Sequence, residues 1–155
     1  EYDAIVLSVA GLKRLSLDHL VSYKFSVDEI LPASCQGAIG IQLRSSDEEL
    51  KSFLSPINHN STELLCQLER DVLRVINANC NSPIGLYASE IENNIILQCE
   101  IFDHHGQKIY KNKLQSHKNL ADDLGKKMGD DILSSIGQEK INQLDKLEND
   151  FYYSP

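Results

Sequence analysis

Cys80 is the residue of this 155-residue chain whose type and position point most directly to chemistry. It lies in an Asn-rich turn, NANCNSPIG at 77–85, directly after a segment with apolar residues at helical spacing. A helix that ends in a tight turn holds a thiol at a fixed and accessible place, and a thiolate attacks electron-poor carbon atoms readily. The alternative is a buried thiol that packs as a small hydrophobe. Cys80 is therefore a candidate for covalent attachment of a ligand.

The segment VAGLKRL at 9–15 is a candidate anion-binding element. The continuous apolar run at 3–9 predicts a strand covered on both faces, and the small residues up to Gly11 predict a turn into a short helix. Backbone N–H groups at such a helix start suit a carboxylate or a phosphate. The helix carries Lys13 and Arg14, and an Arg can hold a carboxylate in a two-point fork. The alternative is a solvated basic pair.

A third segment, LPASCQGAIG at 31–40, places Gln36 directly after Cys35. An amide side chain can both donate and accept hydrogen bonds, so Gln36 is a candidate to line a binding site. It could equally be an ordinary loop glutamine. For Cys35 the sequence favours passive packing over a second reactive thiol.

The remaining polar residues form no further catalytic set. His104 and His105 are adjacent, so their side chains diverge, and no Cys or His spacing matches a zinc site; no metal is expected. We expect the acidic residues of the long helix to form a solvated face: Glu63, Glu69 and Asp71.

Charge and composition limit the partners. The formal net charge of −8 argues against nucleic acid or an anionic membrane as a partner. No apolar run approaches the roughly 20 residues that span a bilayer, and the chain opens with neither a Met nor a signal peptide. We therefore expect a reduced, cytoplasmic protein, and the abrupt start suits an internal fragment. The first half offers few basic residues for an anionic ligand: Lys13, Arg14, Arg44, Arg70 and Arg74.

Apolar periodicity and turn residues predict the elements that hold these groups. A strand is predicted at 38–44, followed by a short helix that the segment Ser45-Ser46-Asp47 caps and Pro56 ends. A long helix begins after a cap at Asn60 or Ser61 and ends in the Cys80 turn. Three strands then follow at 85–92, 95–102 and 108–115, with a hairpin turn at 93–94 and another at 104–106. Helices are predicted at 119–136, ending at Gly137, and from 139 to about 149.

The fold class indicated by this order is α+β, with a three-stranded antiparallel sheet packed against helices over roughly 60–150. The preceding residues read as strand and helix pieces of an α/β body.

Taken in order and separation, the segments 9–15, 31–40 and 77–85 resemble porphobilinogen deaminase, also called hydroxymethylbilane synthase. The resemblance implies a transferase of haem and tetrapyrrole biosynthesis, which condenses four porphobilinogen molecules into hydroxymethylbilane and releases ammonia. It implies a dipyrromethane cofactor joined to Cys80 by a thioether. It also implies that Arg14 and Gly11 belong to the site that binds pyrrole carboxylates, and that Gln36 approaches the cofactor and the substrate.

The resemblance also implies a domain arrangement, in which this chain is the C-terminal half of a monomeric enzyme. Residues 1–31 would end the second domain of a two-domain α/β body like that of periplasmic binding proteins. Residues 32–59 would return to the first domain, and 60–155 would form the third, which carries the cofactor cysteine. The catalytic carboxylate and most carboxylate-binding arginines would then lie in the missing N-terminal half, so we expect this chain alone to be inactive and prone to self-association.

Two departures from the family pattern leave other functions open. Glu-Gly-Gly usually precedes the cysteine, where this chain has NAN at 77–79; Asn79 can take the left-handed conformation that a Gly would supply. The pattern Gly-Gln-Gly is common where this chain has Cys35, Gln36 and Gly37. The alternatives are a degenerate member that no longer loads the cofactor, or a non-catalytic α+β binding or interaction module.

Overall fold

The computed structural model describes residues 2–79 and 81–144. The chain divides into two compact units, Glu1–Ile30 and Leu31–Pro155. Cys80 and the end of the last predicted helix, from 145 onward, lie outside the described residues.

The first unit contains one short α-helix, α1 (Val9–Arg14), and a 3-10 turn (Asp18–Leu20). Residues 2–8 form no strand, and the predicted strand at 3–9 is wrong for the described structure. Its side chains are exposed, with Ile5 at 70% and Val6 at 76% of their full accessibility. A strand requires a neighbouring strand to pair its N–H and C=O groups, and the described part of this unit supplies none.

The second unit begins with an irregular segment and the short helix α2 (Glu48–Leu54). The predicted strand at 38–44 is also absent, and Ile39 is 94% exposed, because this segment too lacks a pairing partner among the described residues. The predicted cap is confirmed, since the Asp47 carboxylate accepts a hydrogen bond from the Leu50 N–H at 3.1 Å.

The long helix α3 (Asn60–Ile76) supplies one side of the core. Its cap is His59, whose ring nitrogen accepts from the Thr62 N–H, so the predicted cap at Asn60 or Ser61 was one or two residues late. Leu68, Val72 and Ile76 are buried at the helical spacing that predicted this element.

Three antiparallel strands in the order β1-β2-β3 form the sheet: β1 (Ile84–Ile91), β2 (Asn94–Phe102) and β3 (Lys108–His117). Ile91 pairs with Asn94, so the tight turn is formed by residues 92 and 93 rather than by 93 and 94 as predicted. Glu92 takes the left-handed conformation there, with φ at 57°. The predicted turn at 104–106 is confirmed, with Gly106 at φ 74°.

Two helices complete the core: α4 (Leu124–Ile136) and α5 (Gln138–Leu144). The predicted helix over 119–136 starts later, because a separate 3-10 turn (Lys118–Leu120) precedes it and leaves Leu120 74% exposed. Gly137 ends α4 at φ 78°, as predicted. The sheet packs with α3 and α4, and the expected α+β fold is confirmed.

Close contact between α3 and α4 depends on glycine. A Cβ added to Gly125 would lie 2.3 Å from the carbonyl oxygen of Leu68, and one added to Gly129 would lie 2.5 Å from Cβ of Val75. The absence of these side chains lets the two helix backbones approach and fixes the position of the C-terminal part of α3.

Candidate functional site

An open hollow of about 420 Å³ lies beside the C-terminal part of α3. Its lining comes from the turn at 33–35, from Arg70 and Leu73 of α3, and from residues 78, 79, 82 and 84. A second hollow of about 370 Å³ shares Arg70, Leu73 and Ala78 with the first and adds Arg74 and Asn77. Together they form a shallow surface that reaches residues 77–79 and Ser82.

The turn after α3 is shaped by Asn77, which takes the left-handed conformation with φ at 53°. Its N–H donates to Arg74 O, and the N–H of Ala78 donates to Leu73 O at 3.0 Å. Asn79, which the sequence suggested could take this conformation, does not adopt it. An Asn tolerates positive φ better than most residues, so Asn77 can end the helix.

Asn79 stabilises the exit of the same turn. Its N–H donates to Ser82 Oγ at 3.0 Å, and its own side-chain oxygen accepts from the Asn81 N–H at 2.8 Å. The chain on both sides of position 80 is therefore held by local hydrogen bonds. The predicted attachment site, Cys80, lies outside the described residues.

Arg70 and Arg74 place two positive charges on one side of α3, one helical turn apart. Both side chains are exposed along the hollow. A carboxylate oxygen of Asp71 holds the Arg74 guanidinium at 2.7 Å, whereas Arg70 makes no ion pair with any described residue. Among the basic residues picked out from the sequence, these two are brought together at the surface that reaches residues 77–79.

Glu69 was predicted to lie on a solvated helix face, and this prediction is wrong because the side chain is only 6% exposed. Its carboxylate accepts from the Cys35 N–H at 2.5 Å and from the Ala88 N–H at 2.7 Å. Since Glu69 follows Leu65 by four residues and precedes Val72 by three, helical periodicity already placed it on the buried face. That signal was available in the sequence.

The segment containing Gln36 packs along the free edge of β1. Pro32 O accepts from the Leu86 N–H at 2.9 Å, and a Cβ on Gly85 would lie 2.7 Å from Leu31 Cβ. Gly85 therefore permits this close approach, which joins two of the segments singled out in the sequence. Gln36 itself is exposed in the turn at 34–37.

Cys35 takes the left-handed conformation at φ 58°, and Gly37 follows at φ 89°. Its half-buried thiol contacts the Cys66 backbone, at 3.6 Å from the carbonyl oxygen. Burial is the largest of several effects that raise the pKa of the Cys66 thiol to about 11, and the adjacent Cys35 is the next. Cys66 therefore carries very little thiolate at neutral pH.

In the first unit, Gly11, Lys13 and Arg14 are all exposed on α1. The short helix at this place is confirmed, but Arg14 lies in its last turn and not at its start. The backbone N–H groups at the helix start and the Arg14 guanidinium are therefore not one feature.

Among residues 2–79 and 81–144, no group of three or more Cys, His, Asp or Glu side chains could hold a metal ion. The expectation that the side chains of His104 and His105 diverge is wrong, because their ring centroids lie 4.0 Å apart with the rings at an angle of 47°. No helix in the described part of the chain is long and apolar enough to cross a membrane.

Two family models match the chain. Residues 1–52 match "Porphobilinogen deaminase, dipyromethane cofactor binding domain", and residues 63–134 match "Porphobilinogen deaminase, C-terminal domain". The second match continues through β1, β2 and β3 and includes most of α4. The chain belongs to the porphobilinogen deaminase family.

Membership of the porphobilinogen deaminase family confirms the resemblance drawn from the three motifs, and the description of the first match confirms dipyrromethane as the cofactor. The match over 63–134 extends well beyond the last of the three motifs at 77–85. Beyond residue 85 the resemblance rested on the periodicity of the predicted strands and helices and not on a short motif.

The residues at the hollow fit an acidic dipyrrole. The acetate and propionate groups of the pyrroles require cations, and Arg70 and Arg74 supply two beside residues 77–79. The open surface along α3 leaves room for a flat, elongated group. Because an exposed Arg holds a carboxylate in a two-point fork, this pair suits such a ligand better than two lysines would.

Proposed function

We propose that the protein containing this chain condenses four porphobilinogen molecules into hydroxymethylbilane and releases ammonia. The reaction is primed by dipyrromethane, which is joined to Cys80 by a thioether. The observation that carries the proposal is the pair Arg70 and Arg74 at the hollow that leads to residues 77–79, directly before Cys80. Family membership supports the class of enzyme and the cofactor.

Local charge makes this assignment consistent with an acidic chain. The formal net charge is −8, which disfavours a polyanionic ligand over most of the surface. The two arginines of α3 nevertheless meet at one place, and only Arg74 shares its charge with a carboxylate of the described residues. Anionic pyrroles would therefore be attracted to this surface more strongly than to the rest of the chain.

When bound, dipyrromethane supplies a free pyrrole end to which the next porphobilinogen is added. The residues of this chain would hold the pyrroles and orient them. Arg70 and Arg74 would bind carboxylates at the hollow. By family analogy, Gln36 would approach the cofactor and the substrate, and Arg14 and Gly11 would bind pyrrole carboxylates. The Cys80 sulfur is the covalent anchor, because a thioether resists hydrolysis and can retain a growing chain.

By family analogy, an N-terminal half of the same polypeptide supplies the catalytic carboxylate and most of the basic cleft. Exposed apolar side chains of the segment that precedes α3 in the sequence support such a partner, among them Ile39, Ile41 and Phe53. The domain assignments of 1–31, 32–59 and 60–155 remain predictions. We infer that this chain alone is inactive, and measurable turnover by it would contradict that inference.

The intact mass of the full-length protein tests the anchor. The expected result is an excess equal to two linked pyrroles, located by peptide mapping on the fragment containing Cys80. Cys80→Ser should abolish the excess, whereas Cys66→Ser, which changes a thiol that does not line either hollow, should retain it. An unmodified Cys80 in an active enzyme would overturn the assignment.

A further inference from the structure

Cys35 and Cys66 bring two thiols together from parts of the chain 31 residues apart. The Cys35 thiol donates to the backbone carbonyl oxygen of Cys66 at 3.6 Å, so it lies against the residue that carries the second thiol. Both residues are half-buried. The third free cysteine of the described residues, Cys99, is fully buried within β2.

Hydrogen bonds that do not involve the thiols also hold this contact in place. Glu69 lies one turn after Cys66 on α3 and accepts from the Cys35 N–H at 2.5 Å. Pro32 is joined to β1 by the hydrogen bond from Leu86. Because the Glu69 carboxylate holds the turn carrying Cys35 against α3, the two thiols meet at a much higher effective concentration than free thiols would.

We propose that Cys35 and Cys66 form a dithiol–disulfide pair, a modification site whose oxidant is a small-molecule disulfide such as oxidised glutathione. The Cys35 thiolate attacks one sulfur of the oxidant, forms a mixed disulfide and releases one glutathione thiolate. Cys66 loses its proton and attacks the Cys35 sulfur, which releases the second glutathione thiolate. Two protein thiols are oxidised, one disulfide is reduced to two glutathione molecules, and these take up the two protons.

The environment of the pair sets the order of these steps. Burial and the adjacent Cys35 raise the pKa of the Cys66 thiol to about 11, so Cys66 is a poor first nucleophile at neutral pH. Once Cys35 carries the mixed disulfide, Cys66 is the neighbouring cysteine, since the Cys35 sulfur lies 3.6 Å from its carbonyl oxygen. Closing the bond requires the two sulfurs to approach to about 2.05 Å by rotation of the side chains.

The bond would fix the turn at 34–37 to α3. Cys35 lines the hollow and Gln36 follows it directly, so oxidation would hold one wall of that surface rigid. The chemistry of the pair does not depend on the proposed function; only an effect of the bond on cofactor loading rests on it.

The test uses the full chain carrying Cys80→Ser, which removes one competing thiol. The reduced protein is equilibrated in glutathione buffers of increasing oxidation, quenched with acid, alkylated and mapped by mass spectrometry. We expect a peptide linked through Cys35 and Cys66. The equilibrium constant for forming this disulfide should be at least about tenfold larger in buffer than in urea. Cys99 should be alkylated only after unfolding.

Matched variants decide the outcome. Cys35→Ser and Cys66→Ala should each abolish the linked peptide, whereas Cys99→Ala should retain it. Cys35→Gly serves as a second variant, because glycine accepts the positive φ at this position. Separate glutathione adducts without a link, a link formed equally in urea, or no reaction at either thiol would each overturn the proposal.

Discussion

The carboxylate of Glu69 accepts a hydrogen bond from the Cys35 N–H at 2.5 Å, across 34 residues of sequence. Its other oxygen accepts from the Ala88 N–H at 2.7 Å. One buried side chain therefore joins α3, the turn that carries Gln36, and the free edge of β1. An edge strand with unpaired N–H groups invites pairing with other chains, and Glu69 removes one such group from the edge.

Replacing Glu69 by Gln tests this junction. The amide keeps only one oxygen acceptor, so one of the two backbone N–H groups loses its partner in a buried place. We expect the free energy of unfolding to fall by about 1–3 kcal/mol, measured by urea denaturation. The matched change Glu92→Gln, at an exposed turn residue, should alter it by less than about 0.5 kcal/mol. Equal stabilities of the two variants would show that the junction contributes nothing.

Cys35 permits a second test, because its backbone lies at φ 58°. The left-handed conformation costs a residue with a Cβ about 1–2 kcal/mol, and glycine avoids this cost. Cys35→Gly removes this conformational cost. It also removes the packing of the thiol and increases the conformational entropy of the unfolded chain. Because these effects oppose each other, we expect its free energy of unfolding to lie within about 1 kcal/mol of that of the parent. Cys35→Val should be less stable than Cys35→Gly by more than about 1 kcal/mol. The opposite order in thermal unfolding would contradict the conformation.

These two residues also show where sequence reasoning was sufficient and where it was not. The positions of α3 and of the three strands could be predicted to within a few residues, because their apolar periodicity reflects one shared core. Glu69 shares that periodicity, yet a charged residue on an apolar face is read as solvated unless its partners are known. Those hydrogen-bond partners, Cys35 and Ala88, are distant in sequence, and no local sequence pattern predicts them.

The two predicted strands that the structure lacks show a second limit of prediction from the sequence, which is that strand formation needs a partner. The runs at 3–9 and 38–44 have the composition of strands, but a strand forms only when a neighbour completes its ladder. Composition describes what a segment can pair with, not whether the partner is present. For the site, the sequence identified Arg70 and Arg74 as basic candidates, while their convergence at the turn before position 80 required the helix to be placed.

Stability at alkaline pH should depend on Cys66. Burial raises its pKa to about 11 in the folded chain from an ordinary value of 9.0, so the unfolded chain loses this proton at lower pH. The folded state then binds more protons than the unfolded state between these values, and stability falls as pH rises from about 9 to 11. Urea midpoints measured from pH 8 to pH 11 should fall less steeply in Cys66→Ala. Part of the decline should remain, because burial also raises the pKa of Cys99, to about 12.

Gly125 tests the close approach of α3 and α4. A Cβ there would lie 2.3 Å from a backbone oxygen of Leu68, and backbone cannot yield as a flexible side chain can. Gly125→Ala should therefore lower the free energy of unfolding by about 1–3 kcal/mol or more. Gly40→Ala is the control, since nothing lies within 4 Å of its added Cβ, and its effect should stay within about 0.5 kcal/mol. An unchanged stability of Gly125→Ala would mean that the helices pack less closely than described.

Arg70 offers the most direct test of the proposed ligand. If its guanidinium binds a pyrrole carboxylate equally in the bound substrate and in the transition state, its removal raises KM and leaves kcat nearly unchanged. In the full-length protein we expect Arg70→Gln to raise KM for porphobilinogen about tenfold or more, the equivalent of at least about 1.4 kcal/mol of binding. The KM of Arg70→Lys should lie between those of the parent and of Arg70→Gln, because lysine keeps the charge but loses the two-point fork.

Arg44→Gln is the matched control for Arg70→Gln. Arg44 is an exposed arginine that lines neither hollow and is paired with Asp47 at 3.3 Å, so the same change of charge should leave KM within about twofold of the parent. If the two substitutions raised KM equally, the effect would come from net charge, and Arg70 would have no specific role. If Arg70→Gln lowered kcat and not KM, the side chain would act on the reaction and not on binding. Only a rise in KM confined to Arg70 places a pyrrole carboxylate at the hollow beside α3.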